Sequence, residues 1–590
     1  MRFTRIYFLT ISIAICNYLD AQNLAWEPPI LSGNRSCAVD YDSSGFVYSF
    51  STSSIWNPGA SFFDTIAIPG SFDVGERSFI VKSDTNNHMH WMNVIESDFG
   101  IGSELMKISH NQKVLLAGSF WDRIKIDSID ISVPNHEETP FFIVQLDSDG
   151  RLLWMNLIQN KTYFTTLNDI TFDSEDNINL IGTTTADISF GNLNSSGVFV
   201  PELTLTHQAY VNTSFIAKYA ASGEFINAKL IPVTTDISTI LPWVKLNSIA
   251  IDNVGNIFGT GSFYGKIATE DIMIESLRPS ILLAKFNENL EIIWAKVLGP
   301  GHSDIMQQGQ SIVFDNNQQN YYVTGNFFGS IDFGNGPVQS NDKNIFLAKY
   351  RINGTLNWVK NFGCWSGAAS YTEKGLRIFI DDKDFVYLGG IYEEPLIIGD
   401  TTLDVHTYPK SDRINCDFFL AKFFANGDLS WAANAGCISS DNLGTIVKDN
   451  YNNVFVTGET YPYPNFGNFT LITPPNANRV GFLAKFKDRK EENKYDNEYG
   501  IEDYKEITEK IKVHPNPFIN KIEFEIPYCK QSDIIIEISD INGQVLLSDL
   551  LIQGNLSQHY IYSFYNKPSG LYFLRIITSC NLYTCKLVKI

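Results

Sequence analysis

The residue types that could carry chemistry are scattered along this 590-residue chain rather than clustered. Asp40-Tyr-Asp42-Ser-Ser44-Gly45 has the spacing that opens a calcium loop, but it lacks a Glu at the twelfth position. Only about three oxygen donors are local, where Ca2+ takes roughly six to eight. The related turns Asp252-Asn-Val-Gly255 and Asp315-Asn-Asn317 use the same residue types, which tight turns require in any case. Ca2+ is therefore the one cofactor weighed, and none is expected. The nine histidines show no metal-ligand spacing, and no Gly-x-Ser-x-Gly elbow or phosphate-binding loop occurs. Glu393-Glu394 and Asp381-Asp382 read as loop charges. No catalytic residue and no metal ligand is nominated. Binding has better candidates: Trp56, Trp243, Trp365, Tyr461, Tyr463 and Phe466 are aromatics suited to stacking on sugars or peptides, or equally to capping a core.

These aromatics stand out because they break a repeat. A pentapeptide recurs as Phe79-Ile-Val-Lys-Ser83, Phe142-Ile-Val-Gln-Leu146, Phe215-Ile-Ala-Lys-Tyr219, Leu282-Leu-Ala-Lys-Phe286, Phe346-Leu-Ala-Lys-Tyr350, Phe419-Leu-Ala-Lys-Phe423 and Phe482-Leu-Ala-Lys-Phe486. Nine residues after its fourth position stands Trp91, Trp154, Asn227, Trp294, Trp358 or Trp431, and Lys494 after the last copy. A residue that recurs in most units serves the unit, so the repeat tryptophans are assigned to packing. The recurrent Lys is also assigned to architecture, paired with the Asp that ends the first strand. A binding site should instead consist of residues that depart from the pattern. The inserts at 191–212, 231–246 and 400–416 and the loop Tyr461-Pro-Tyr-Pro-Asn-Phe466 are such departures.

Upstream of each pentapeptide lies a second shared element, clearest from Ser248 to Phe263, where Ile-x-Ile-Asp leads through a turn into a strand ending in Gly. Each unit thus predicts four short strands, and four strands repeated at 63 to 73 residues predict a blade of a β-propeller. The seventh unit has three strands but no fourth, whereas Leu24-Ala-Trp26-Glu27 looks like a stray fourth strand. The expected fold is therefore all-β, a seven-bladed β-propeller over residues 22–487, with an N-terminal strand at 24–31 closing the last blade.

Asp252 to Gly261 and Phe346 to Trp358 carry the motifs by which the chain resembles the SBBP-type β-propeller repeat family of bacterial surface and secreted proteins. Gln145 and Asn227 depart from that pattern. The family is defined by architecture, so the resemblance implies a propeller and no reaction.

The two ends predict a route out of the cell. Arg2 and Arg5 precede an apolar stretch from Ile6 to Ile15, and residues 1–21 read as a signal peptide cut before Gln22. No run is long enough for a transmembrane span. From Lys487 to Lys510, 15 of 24 residues are charged, which reads as a linker over 488–510. Alternating strands then predict a small Ig-like β-sandwich at 511–590. Pro515-Asn516-Pro517, Asp540 to Gly543, Gly570-Leu-Tyr572-Phe and the terminal run from Lys586 resemble the type A C-terminal sorting domain of the type IX secretion system of Bacteroidetes. That resemblance implies recognition by the outer-membrane translocon and a secreted or cell-surface location.

A net charge of −21 with no basic cluster argues against nucleic acid as a partner. Seven cysteines remain after signal cleavage, with Cys580/Cys585 and Cys364/Cys437 the pairs worth watching. The function expected is an exported binding or adhesion propeller, not an enzyme, with an unidentified extracellular glycan or protein as ligand. The alternative is a propeller polysaccharide hydrolase or lyase with carboxylates gathered in the channel.

Overall fold

The computed structural model describes residues 24–488 and 513–590, apart from 27–29, 34, 55–75, 86–87, 99, 134–138, 161–163, 208–210, 235–240, 300–306, 365–373, 407–415, 438–440, 462, 472–478, 527–533, 541–544, 552–557, 565–566 and 578–581. The chain separates into two compact units, 1–491 and 492–590. All regular structure among the described residues is β, and the first unit is a β-propeller.

Each pentapeptide lies on the third strand of an antiparallel sheet. The Lys82 sheet runs Arg35–Tyr41, Phe46–Ser54, Glu76–Asp84, Met89–Ser97, and the Gln145 sheet Ile101–Ile108, Val114–Phe120, Phe141–Leu146, Leu152–Asn160. Next come the Lys218 sheet (Thr166–Phe172, Ile178–Thr184, Thr213–Tyr219, Phe225–Leu230) and the Lys285 sheet (Trp243–Ile251, Ile257–Ala268, Met273–Phe286, Ile292–Leu298). The Lys349 sheet holds Gln308–Phe314, Asn320–Asp332, Pro337–Arg351 and Leu356–Cys364, and the Lys422 sheet Lys374–Ile380, Val386–Tyr392, Asp417–Phe423 and Leu429–Ala435. The Lys485 sheet holds Asn442–Lys448, Asn453–Thr460 and Val480–Asp488, and its outer edge is supplied by Leu24–Trp26 and Ile30–Gly33 from the N-terminus.

Four strands per unit is too few for three of these sheets. Hairpins Arg123–Ile126/Ile129–Ser132, Ile188–Leu193/Phe199–Leu205 and Leu396–Ile398/Thr401–Leu403 each pair with the outer strand of the preceding sheet, making it six-stranded. Much of the insert at 191–212 is thus an edge cover, which occupies N–H and C=O groups that an open edge would leave unpaired. Trp26 also departs from strict equivalence: it pairs with Phe486, whereas Trp358 pairs with Lys349. Asp488, the first residue of the expected linker, is buried at the end of its strand.

Apolar side chains meet between consecutive sheets. One buried cluster joins the Lys82 and Gln145 sheets through Phe50, Ile80, Leu116 and Phe142. The ring closes through Val39, Val47, Phe79 and Val81 against Val447, Phe455 and Leu483. Polar bonds reinforce the same seams. Lys82 Nζ and Trp91 Nε1 both donate to the Ser148 carbonyl in the third-to-fourth-strand turn of the next sheet, each at 3.0 Å. Trp358 Nε1 reaches the equivalent Ala425 carbonyl at 3.2 Å, and Lys485 Nζ reaches Thr85 at 3.0 Å. The indoles of Trp91 and Trp358 lie over Gly150 and Gly427, both at positive φ, where a Cβ would approach within 3.0 and 3.2 Å.

The repeat tryptophans therefore fasten neighbouring sheets. Trp431 alone among those described is buried; Trp91, Trp154, Trp294 and Trp358 are half-buried. The expected Lys–Asp pairing occurs at Lys218–Asp173 (3.1 Å) and Lys285–Asp252 (3.4 Å). In the Lys422 sheet it is exchanged with a neighbour: Lys422 meets Asp488 and Lys448 meets Asp381. The Gln145 sheet lacks both partners, with Ser109 where the others carry Asp.

The second unit contains a three-stranded sheet (Val513–His514, Lys521–Ile526, Gln558–Ser563) and a four-stranded one (Val545–Leu551, Ile534–Asp540, Gly570–Ile577, Leu582–Lys589). They share a core of Phe518, Phe524, Ile538, Phe564 and Leu587.

Candidate functional site

The first strands of the sheets line a central channel of about 510 Å³, reached by Val39, Met106, Asp169, Ser248, Ser311, Arg377 and Thr445 among others. Each first strand carries a β-bulge before its Ile-x-Ile-Asp element, for example at Asn168, Asn247, Gln310 and Leu376. A bulge re-aims local groups sideways, and here it directs them to the adjoining sheet. Asn168 Nδ2 donates to the Leu246 carbonyl (2.7 Å) and Asn247 Nδ2 to that of Gly309 (2.8 Å). One residue on, side-chain oxygens accept backbone N–H groups around the ring: Asp169 from Ile249, Ser248 from Ile312, Ser311 from Ile378 and Thr445 from Val39. Asp40 accepts from Ile108 at 2.8 Å.

These bonds account for most polar groups in the channel, but not for its charges. Burial raises the Asp40 carboxyl above its usual range, and the attracting charge of Lys107 partly offsets that. Among the described residues Arg377 bonds to its neighbouring Leu376 carbonyl (3.1 Å); burial depresses its pKa, and Asp169 partly offsets that. Lys245 is depressed by burial and by the charge of Lys374.

The binding candidates separate. Trp243 opens the inner strand Trp243–Ile251 and is half-buried. Tyr463 is exposed at positive φ, and Tyr461 lies under the Arg479 guanidinium at 5.3 Å. Phe466 does not belong to a rim: it is fully buried against Phe418 and Phe482. Trp56 and Trp365 lie outside the described residues. Asp42 accepts the N–H groups of Ser44 and Phe46 and the Tyr48 hydroxyl, so the calcium-like loop is a self-satisfied turn. Asp173, Asp252, Asp381 and Asp449 hold their turns in the same way. Among the described residues no group of three or more His, Cys, Asp or Glu is arranged to hold a metal.

Sequence reasoning missed a buried polar knot beside the Lys485 sheet. His406 Nδ1 meets Asp417 at 2.6 Å, while Asp441 accepts from Cys437 N (2.7 Å), Cys437 Sγ (3.2 Å) and Thr460 Oγ1 (2.5 Å). Both carboxylates crowd the Cα of Gly436, where a side chain would collide. Burial pushes Asp441 up to about 7 and raises Asp417, and the Asp417 carboxylate raises His406. Cys416 and Cys437 are buried thiols and Cys585 is a half-buried one, so neither watched cysteine pair is bridged; Cys580 lies outside the described residues.

In the second unit Asn516 ties its turn to the last strand: its Nδ2 donates to the Lys586 carbonyl (2.7 Å), and its Oδ1 accepts from Val588 N (2.9 Å). Pro515 and Pro517 flank it, both after cis peptide bonds. Asp540 pairs in register with Tyr572, whose hydroxyl donates to the Pro568 carbonyl at 2.7 Å. Gly570 starts that strand, Lys586 is exposed on the last one, and Gly543 lies outside the described residues.

Residues 512–590 match the family model described as a secretion system C-terminal sorting domain. An uncharacterized WD repeat-containing protein of Acanthamoeba polyphaga mimivirus is 25% identical over 346 residues, covering 49% of this chain and 23% of the viral protein. The chain thus spans less than a quarter of that relative. Among solved structures, a protein of unknown function from Bacteroides caccae is 10% identical, covering 60% of this chain and 89% of its own at a TM-score of 0.29. A protein from Lactobacillus plantarum is 9% identical, with 69% and 94% covered and a TM-score of 0.34.

Proposed function

We propose that this chain is an exported binding or adhesion protein, a seven-bladed propeller of SBBP type carried out of the cell by a type A sorting domain of the type IX system. The observation that carries the reading is the sorting-domain match at 512–590 on a chain whose other unit is a propeller. A secretion-system tail implies delivery to the cell surface, and the translocon is its partner there. A signal peptide at 1–21, which lies outside the described residues, supplies the first export step. Among the described residues no helix is long and apolar enough to cross a membrane. The seven-blade reading is supported by one antiparallel sheet for each pentapeptide, with the N-terminal strands pairing onto the Lys485 sheet. The two C-terminal sheets around one core support the Ig-like reading of the sorting domain.

Binding is favoured over hydrolysis by how the channel acids are used. A glycoside hydrolase of the usual kind needs two available carboxylates. Asp40 and Asp169 line the channel, yet each accepts a backbone N–H from the next sheet. The raised pKa of Asp40 is the one feature that suits a general acid. A glycan array probed with the full chain, followed by a reducing-end assay on any ligand found, tests the reading. Binding without new reducing ends or unsaturated products is expected; turnover would establish the enzyme instead.

A further inference from the structure

We infer that the mouth of the channel formed by Trp243, Lys245, Lys374 and Arg377 binds an acidic saccharide through its carboxylate. This rests on the binding-propeller reading and names the ligand class. Lys245 and Lys374 each stand seven residues before the Asp that ends their first strand, Asp252 and Asp381, and each of these strands has one bulge in between. They therefore occupy the same level of the channel on sheets separated by a single blade. Both are half-buried, and neither forms an ion pair or hydrogen bond among the described residues. Arg377 lies three residues beyond Lys374 on the same strand and lines the channel.

Like charges held together and partly desolvated cost stability unless something compensates. Asp169 compensates for Arg377, and Lys107 faces Asp40 at a different level, so among the described residues the two lysines remain unbalanced. On a chain of net charge −21 such a mouth is a local exception. Low-dielectric walls focus its field toward an incoming anion. Trp243 supplies the second element of recognition. Burial alternates along the start of its strand, with Val244 and Leu246 buried and Trp243 and Lys245 half-buried, so these last two share one face. Asn247, the bulge residue that follows them, lines the channel. An indole on the face that carries Lys245, with the charge of Lys374 felt at that lysine, fits a sugar ring carrying a carboxylate: the ring's apolar face stacks on the aromatic, and the carboxylate sits between the lysines. Of the four residues Arg377 lines the channel cavity itself, which at about 510 Å³ is of the size that holds small-molecule ligands.

The test is calorimetric titration of the full chain with digalacturonate, with neutral galactobiose and inorganic sulfate as parallel probes. Digalacturonate should bind, galactobiose should bind at least tenfold more weakly, and the affinity should fall as salt rises. K245Q/K374Q should lose at least tenfold in digalacturonate affinity while melting no lower than the parent, since it removes a repulsion. K107Q, at another level of the channel, should retain affinity. Absence of digalacturonate binding, affinity unchanged in the double variant, or binding of sulfate with none of digalacturonate overturns the assignment. If neutral glycans bind the protein while digalacturonate does not, the acidic-sugar site fails and the binding-propeller reading stands.

Discussion

Lys422 Nζ lies 2.8 Å from Asp488 Oδ2, with 1% and 0% of the two side chains exposed. The pair joins the third strand of one sheet to the last described residue of the first unit, and the Tyr387 hydroxyl donates to the same carboxylate at 3.4 Å. A buried pair adds little over an apolar substitute, but losing one partner strands the other as a buried charge, at about 3–5 kcal/mol. The boundary of the folded unit should therefore be sharp to a few residues. A chain ending at Glu491 should unfold in urea at the same midpoint as the full-length propeller transition. One ending at Lys487 should lose about 3–5 kcal/mol. Equal midpoints for the two truncations would show that Asp488 is not needed.

The Gln145 sheet offers a complementary experiment. It has Gln where its neighbours have Lys, and Ser109 where they have Asp, so both charges of the pair are absent together. Gln145→Lys should destabilise by about 3–5 kcal/mol because it buries an unpaired ammonium. Adding Ser109→Asp should recover most of that loss. The coupling is read from a double-mutant cycle in urea; a coupling near zero would mean that the two positions are independent.

A similar correspondence links Asn227 and Leu290. Asn227 replaces the seam tryptophan, and Leu290 occupies the turn position where the other described turns of this type place Gly150, Gly223, Gly354 or Gly427. Leu290 is buried despite its positive φ. Asn227→Trp alone should lower the melting temperature by crowding Leu290, and Leu290→Gly added to it should restore part of the loss. If Asn227→Trp is neutral, the seam has room for both side chains.

The acid–histidine knot should make stability depend on pH. The folded pKa of Asp441, about 7, lies above its ordinary 3.8, and Asp417 and His406 are also raised. A group raised in the folded state stabilises fully below its unfolded pKa, and that contribution fades as pH climbs through the folded value. Stability from this cluster should thus decline from about pH 4 to about pH 7. Asp441→Asn should flatten that slope and leave the protein relatively more stable at pH 8. Urea midpoints at several pH values check this; a slope unchanged in the variant would place the titration elsewhere.

Much of the architecture was legible because it repeats. The pentapeptides mark the third strand of each sheet, and a missing fourth strand at one end pointed to Leu24–Trp26 at the other. What stayed hidden depends on neighbours that are distant in sequence. The hairpin Arg123–Ile126/Ile129–Ser132 looks like an internal insert, yet it pairs with the sheet before its own. Phe466 sits in an aromatic–proline loop that reads as surface, but Phe418 and Phe482 enclose it. Lys245 and Lys374 carry no local motif. Their shared level becomes visible only by counting back from the turn Asp of each repeat, with one bulge allowed in each strand.

The central claim is that the sorting domain delivers a propeller that folds without it, and surface accessibility tests this most directly. The full chain and a chain ending at Glu491 would be expressed in a host with type IX secretion, and surface protease sensitivity and periplasmic content compared. The full chain should reach the surface or medium, and the truncated chain should remain folded in the periplasm. Truncated protein arriving at the surface in the same proportion as the full chain would contradict the account.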